Sequence, residues 1–408
     1  MLKILEGVRV LEVAEHGFVP SCGTVLADWG AEVIKVEHPV RGDPMRQIVG
    51  WGVIPGADPN GPDFMTESVF RSKRCIALDL AKPAGRELLL RIARRADVFL
   101  TNLLPASRRR LGIDYPEVRA ANPRIVYAKG HGQGARGPEA EAGGFDSVSF
   151  WSRGSVQERL TPPGQPLVGQ RPATGDFTSG LTLAGGIAAA LFRRERTGES
   201  IEVDVALLNV ATWMMSPDIN AAALYGRDLP KLDGSTRTHM PAIAGTYATS
   251  DAKRITLMMW QDDARFFPIF AKAAGYEDLL ADARFSTAEA RAEHRDALVV
   301  EIEQRFARRT RAEWIERLAA SDCIWGLVQS PVDIPADPQV KANGYLLEVR
   351  RRDGVVLRQV GAPVQFNGEP AAARHPAQAL GEETDALLRE AGVSDAEIAA
   401  ARSAGVIR

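Results

Sequence analysis

A single carboxylate, Asp176, stands in RPATGDFTSGLTLAGGIAAALFRRERTG (residues 171–198), between a glycine and an aromatic at the mouth of a largely apolar helix. Two chemistries suit it. An aspartate at a helix start serves as an N-cap, its side-chain oxygen accepting from first-turn N–H groups. The same place suits a nucleophile, because Gly175 lets another molecule approach closely and the helix N-terminus stabilises negative charge. Local pattern leaves both open. The sequence has no GxSxG elbow and no serine or cysteine evidently paired with a histidine, so triad hydrolysis is unsupported. Six dispersed histidines form no HxxxH or HxH pair, and Cys22, Cys75 and Cys323 lack metal spacing, so no metal site is expected. GQGARG (132–137) fits the dinucleotide pattern literally, but PEAEAGG follows it rather than a helix. Nicotinamide is therefore not expected, and these glycines suit sharp turns beside a ligand.

Lys35, Arg46, Lys73, Arg74, Arg108, Arg109, Arg110 and Lys129 are scattered through the N-terminal part, several at strand ends. Singly, each reads as solvated surface. Together they suit a phosphorylated cofactor, since guanidinium and ammonium groups offer several donors to phosphate oxygens. Overall charge gives no such hint: 50 Lys and Arg nearly cancel 52 Asp and Glu, so nucleic acid is not an expected partner. The apolar share of 45% and charged share of 25% are those of an ordinary globular protein. Sparse cysteines, no signal-peptide h-region and no run of membrane-spanning length lead to the expectation of a cytoplasmic protein with no membrane partner.

Alternation of strand and helix signals supplies the scaffold for these residues. VRVLEV (8–13), EVIKVE (32–37), CIALDL (75–80), DVFLTN (97–102), RIVYAK (124–129) and IEVDVALL (201–208) read as strands. Between them lie helical stretches such as CGTVLADWGA (22–31), AGRELLLRIARRA (84–96) and residues 178–194. This rhythm predicts a doubly wound α/β domain with parallel strands and right-handed crossovers. Residues 209–243, with little clear period, read as a connector. A hairpin at 244–259, turning at Ser250 and Asp251, and three helical stretches then predict a smaller α+β domain. A strand pair at 345–361, turning at Asp353 and Gly354, and a helix in EETDALLREAG follow. The helix is expected to pack back on the first domain.

As a whole the chain resembles the family III CoA-transferases. The resemblance runs through LEGVRVLEVAEHGFVPSCGTVLADWGAEVIKVEHPVRGDPMR, SKRCIALDLAKPAGRELLLRIARRADVFLTNLLPASRRRLGIDY, NPRIVYAKGHGQGARGP, GDFTSGLTLAGGIAAALFRRERTGESIEVDVAL, DPQVKANGYLLEV and LGEETDALLREAGV, in that order. It implies that Asp176 is a nucleophile that moves coenzyme A, a co-substrate, between carboxylic acids through anhydride and aspartyl-CoA thioester intermediates, a division into easier covalent steps. It implies that His16, His38, Lys73, Arg74, Asn102, Arg110, Lys129 and His131 lie at the cofactor. Two of these are departures. Gly17, beside His16, replaces a glutamine found in much of the family, and His38 replaces a frequent arginine. The fold implied is a Rossmann-like large domain (1–208, completed by about 365–408), a linker (209–243), a small α+β domain (244–340) and a strand-bearing return linker (341–364). Two such chains are expected to form an interlocked, ring-like homodimer.

Alternatives are an α-methylacyl-CoA racemase-like enzyme, which shares the fold, and a non-catalytic CoA-binding protein. The racemases carry a histidine in a GHD segment, whereas this chain has GGFD with Phe145 there, 31 residues before Asp176. Phenylalanine cannot carry a proton. FDSVSFWSRGS (145–155) resembles the corresponding segment of transferases acting on 2-hydroxy, aryl or branched acyl groups. It implies Phe145, Phe150 and Trp151 as pocket walls and Arg153 as a carboxylate clamp. The glycine-run loop of the formyl-CoA:oxalate branch is replaced by MPAIAGTYA (240–248).

Overall fold

The computed structural model describes residues 3–48, 63–231, 240–351 and 353–408. They fall into two compact units. One comprises Met1–Thr161, Pro166–Leu229 and Pro338–Arg408, the other Pro162–Gln165 and Pro230–Asp337.

The larger unit is built on six parallel strands: β1 (Arg9–Val13), β2 (Glu32–Glu37), β3 (Lys73–Ala77), β4 (Val98–Thr101), β5 (Val126–His131) and β6 (Ile201–Ala206). Their spatial order is β3-β2-β1-β4-β5-β6. The order reverses between β1 and β4, which opens a crevice at the strands' carboxyl ends, where ligands bind in open α/β sheets. The strands are short apolar runs because both sheet faces are covered. Val10, Val33, Val98 and Val126 face one core, while Leu11, Ile34, Ile76 and Phe99 face the other.

Two helices on the first face carry the chemistry-bearing segments. Helix Phe18–Asp28 follows β1, and the long helix Thr174–Thr197 crosses it. A β-carbon on Gly180 would sit 2.0 Å from Ser21 Oγ and 2.8 Å from the Phe18 carbonyl oxygen. Only glycine permits this approach, which brings the first turns of the two helices together. On the opposite face, Leu88, Leu89 and Ile92 of helix Pro83–Ala93 pack with Leu387, Leu388 and Ile398 of the C-terminal helices. The tail is tied to β3 by the Glu383 N–H, which donates to the Cys75 carbonyl at 3.0 Å.

The smaller unit has an antiparallel sheet of β7 (Ala244–Ala248), β8 (Arg254–Met258) and β9 (Trp325–Val328). Helices pack on it around Phe267, Phe270, Phe306 and Trp314. β9 has no counterpart in the sequence reading, since WGLV is four residues long with every second side chain exposed. Strands β10 (Leu346–Arg350) and β11 (Val356–Val360) form a hairpin in the larger unit.

Several boundaries differ from the sequence reading. The first helix begins at Phe18 rather than residue 22, and the strand predicted over 124–129 runs from Val126 to His131. Residues 209–243 are no simple connector, because helices Leu207–Met214 and Ser216–Tyr225 occupy their first half. The second of these buries none of its side chains, so its apolar residues carry no amphipathic stripe to read. The part of the expected linker at 232–239 lies outside the described residues.

Candidate active site

A cavity of about 340 Å³ lies over the β1–β4 reversal. Its walls come from the segments after β1 (Glu15 to Phe18), β4 (Asn102 to Pro105 and Ser107) and β5 (Gly132 to Gly134), with Phe145, Leu207 and Asp176. The half-buried Asp176 is in the first turn of its helix, but the N-cap is Ala173, in the left-handed region with φ 60°. The capping reading of Asp176 is therefore corrected. Asp146, from a single π-helical turn at Asp146–Ser152, does that work: its Oδ1 accepts from the Gly175 N–H at 2.9 Å. This leaves the Asp176 carboxylate free of capping duty. Gly175 is required here because a β-carbon would lie 2.3 Å from both Asp146 Oδ1 and the Phe150 ring.

Electrostatics separate Asp176 from an ordinary surface carboxylate. Burial, and then the nearby Asp146 charge, raise its pKa to about 7. Burial likewise raises Asp146 to about 6, opposed by N–H donation from Gly175 and its neighbours. Across the cavity, a β-carbon on Gly17 would lie 2.5 Å from Asp176 Oδ2. A glycine at position 17 thus leaves the Asp176 carboxylate its room. Helix Phe18–Asp28 begins at this point with no side-chain cap, and its N-cap Gly17 and first residue Phe18 line the cavity.

The loop carrying Gly17 is held from both sides. Asn102 Oδ1 accepts from the Glu15 N–H at 3.0 Å, and its Nδ2 donates to the Glu15 carbonyl at 2.7 Å. Asp43 Oδ1 accepts from the N–H of His16, whose φ of 67° is left-handed. Beneath the loop runs a buried chain of alternating charge. Asp43 pairs with Lys35 at 2.8 Å, Lys35 with Glu12 at 3.2 Å, and Glu12 with Lys73 at 2.7 Å. The parallel register sets Glu12 opposite Lys35, so these charges meet.

The residues expected near the cofactor divide three ways. His16, Asn102 and His131 line the cavity with Asp176. His38 and Arg110 line a second cavity of about 430 Å³ with Arg41, and the two cavities share Glu15, Leu103 and Ser107. Lys73, Arg74 and Lys129 line neither. Lys73 is wholly buried under the loop, its ammonium committed to Glu12 and the Pro20 carbonyl, and desolvation presses its pKa down to about 8. Arg74 is bound by Glu32, Glu383 and Glu390. Lys129 is held by Glu202 at 2.6 Å and Asp204 at 3.3 Å.

Of the expected pocket walls, only Phe145 meets the cavity, its ring edge-on to His16 at 5.3 Å. Phe150 and Trp151 are corrected to core residues, because the π-helical turn points them inward behind Gly175. Arg153 is paired with Glu139 on the exposed surface. Sequence reasoning missed Asp146 and Asp43. Each follows a motif residue closely, but only the tertiary contacts reveal their work.

A six-stranded parallel sheet with a cavity at its strand-order reversal, walled in part by Asp176, defines an α/β protein of the doubly wound class with a ligand crevice at the strands' carboxyl ends. The chain matches CoA-transferase family III over residues 5–384 and belongs to that family. It is 29% identical to (R)-2-hydroxy-4-methylpentanoate CoA-transferase of Clostridioides difficile, over 99% of this chain and 100% of that one. It is 30% identical to cinnamoyl-CoA:phenyllactate CoA-transferase of Clostridium sporogenes, over 97% and 95%. Among solved structures, a CAIB/BAIF family protein from Brucella suis superposes with a TM-score of 0.80 at 28% identity, covering 95% of this chain and 99% of that one.

Proposed function

We propose that this protein moves coenzyme A from an acyl-CoA to a carboxylic acid through covalent intermediates on Asp176. The observation that carries the reading is the carboxylate itself, in the cavity wall and relieved of capping by Asp146. The ionised Asp176 attacks the thioester carbonyl, the C–S bond breaks, and CoA leaves as thiolate from a mixed anhydride. The thiolate attacks the Asp176 carbonyl, releasing the donor acid and forming the aspartyl-CoA thioester. The acceptor carboxylate attacks that thioester, giving a second anhydride and thiolate. Attack of the thiolate on the acyl carbon then yields the new acyl-CoA and restores Asp176. Each tetrahedral intermediate carries an oxyanion, and the start of helix Phe18–Asp28, which has no side-chain cap and reaches the cavity at Gly17 and Phe18, suits its stabilisation.

Coenzyme A fits across the two cavities, with its reacting end beside Asp176 and its phosphates toward His38, Arg41 and Arg110. Arg41 and Arg110 are exposed and form no ion pair among the described residues. Two relatives named for 2-hydroxy acids, one of them aryl-bearing, support an acyl group of that kind here. A second copy of the chain suits the exposed apolar side chains Trp213, Leu224 and Tyr225 of helices Leu207–Met214 and Ser216–Tyr225. The test is incubation with a panel of acyl-CoAs, trapping with hydroxylamine or borohydride, and peptide mass analysis. An adduct on the peptide containing Asp176, absent in Asp176→Ala, is the expected result. Exchange of the α-proton in heavy water without an adduct would instead favour the racemase-like chemistry.

A further inference from the structure

We infer that His131, oriented by Asp204, reads a second oxygen function on the acyl group, a hydroxyl or a second carboxylate, and selects such acids over plain hydrocarbon ones. This deepens the transferase reading and rests on it. His131 ends β5 in the wall of the cavity that holds Asp176. Its ring is buried, with Nε2 2.9 Å from Asp204 Oδ1. The β5–β6 register sets Lys129 opposite Asp204, two residues before His131, so all three side chains share one sheet face. Asp204 thereby fixes one ring nitrogen, and no hydrogen bond reaches Nδ1 among the described residues. With the proton on Nε2, Nδ1 accepts from a hydroxyl, and a protonated ring donates to a carboxylate.

Beside the apolar Phe18, Leu103, Phe145 and Leu207, the wall also presents His16 and Gln133, but of its two imidazoles His131 is the one that a carboxylate orients. Lys129 already divides its charge between Glu202 and Asp204. Placing one oriented imidazole in such surroundings discriminates strongly, because a substrate lacking the oxygen leaves a buried polar group unpaired.

The experiment compares matched donors: 2-hydroxy-4-methylpentanoyl-CoA against 4-methylpentanoyl-CoA, and succinyl-CoA against butyryl-CoA. His131→Phe keeps the ring volume without the nitrogens. It is expected to raise KM for the polar member of a pair on the order of 10- to 100-fold more than for the apolar member. Asp204→Asn should move the same KM in the same direction by a smaller factor. Which pair responds identifies the oxygen being read. Equal losses for both members of both pairs would overturn the inference, as a merely structural role predicts. Should His131→Phe fail to fold, His131→Gln replaces it, with the same outcomes deciding. If the wild type turns over no donor, the transferase reading fails separately. Calorimetric titration of 2-hydroxy-4-methylpentanoate and succinate then decides: weaker binding to the His131 variant supports the inference, and equal binding overturns it.

Discussion

Replacing Asp176 by asparagine should stabilise the protein under the very conditions in which it abolishes turnover. Burial and the Asp146 charge hold this carboxyl at about 7, against an ordinary 3.8. Between those values the folded chain keeps a proton that the unfolded chain has already lost. Stability from this group is therefore present at low pH and falls as pH rises through that window. Roughly three pH units at about 1.4 kcal/mol each set a ceiling of ~4 kcal/mol. Asp176 keeps some contact with solvent, so screening reduces the expected penalty to about 2 kcal/mol. Asparagine carries no charge at any pH. The variant should match the wild type near pH 4 and exceed it by about 2 kcal/mol near pH 8. Urea midpoints at pH 4, 6 and 8 measure this, with the slope compared to confirm that the unfolding reaction is unchanged. A difference that stays constant with pH, or an asparagine variant weaker at pH 8, would refute the reasoning.

Three further outcomes follow from the same geometry. Gly17→Ala tolerates its helical backbone angles (φ −94°, ψ −52°) but places a β-carbon 2.5 Å from Asp176 Oδ2, so the carboxylate must move by about 1 Å. We expect kcat to fall ~100-fold with little change in thermal midpoint, and a wild-type kcat would sink the argument. Asp146→Asn removes the second cause of the raised Asp176 pKa and keeps an oxygen for the Gly175 N–H. The rising limb of the pH–rate profile should move from about 7 to lower pH while staying above 3.8, because burial remains. An unmoved limb would show that Asp146 is not felt at Asp176. Arg41→Ala with Arg110→Ala should raise KM for the acyl-CoA on the order of tenfold at unchanged kcat. An unaffected KM would place the phosphates outside that cavity.

Much of the scaffold was legible because its signals are local. VRVLEV, EVIKVE and DVFLTN are runs of apolar residues too short for helices, and each became a buried parallel strand. Asp176 drew notice for a local reason too, as one carboxylate at the head of an apolar helix. Its partner Asp146 did not, because capping of the Gly175 N–H depends on a π-helical turn that no periodicity announces. Lys73 and Lys129 looked alike in sequence, each a base at a strand. Packing made one the buried end of an alternating-charge chain and the other a partner of Glu202 and Asp204.

Phe150 and Trp151 stood beside Phe145 as equal candidates for a pocket wall, yet the turn sends two inward and one into the cavity. By itself, the chain's residue pattern marked the strands of the parallel sheet and the helix that Asp176 opens, and it left that carboxylate open between cap and nucleophile. Only the tertiary structure decided what surrounds that carboxylate: Gly17 against it, Asp146 behind it, and His131 in the same wall. The reason is physical. Backbone preference and apolar period act over a few residues. A carboxylate's pKa and reach are set by groups that close packing brings near from anywhere along the chain.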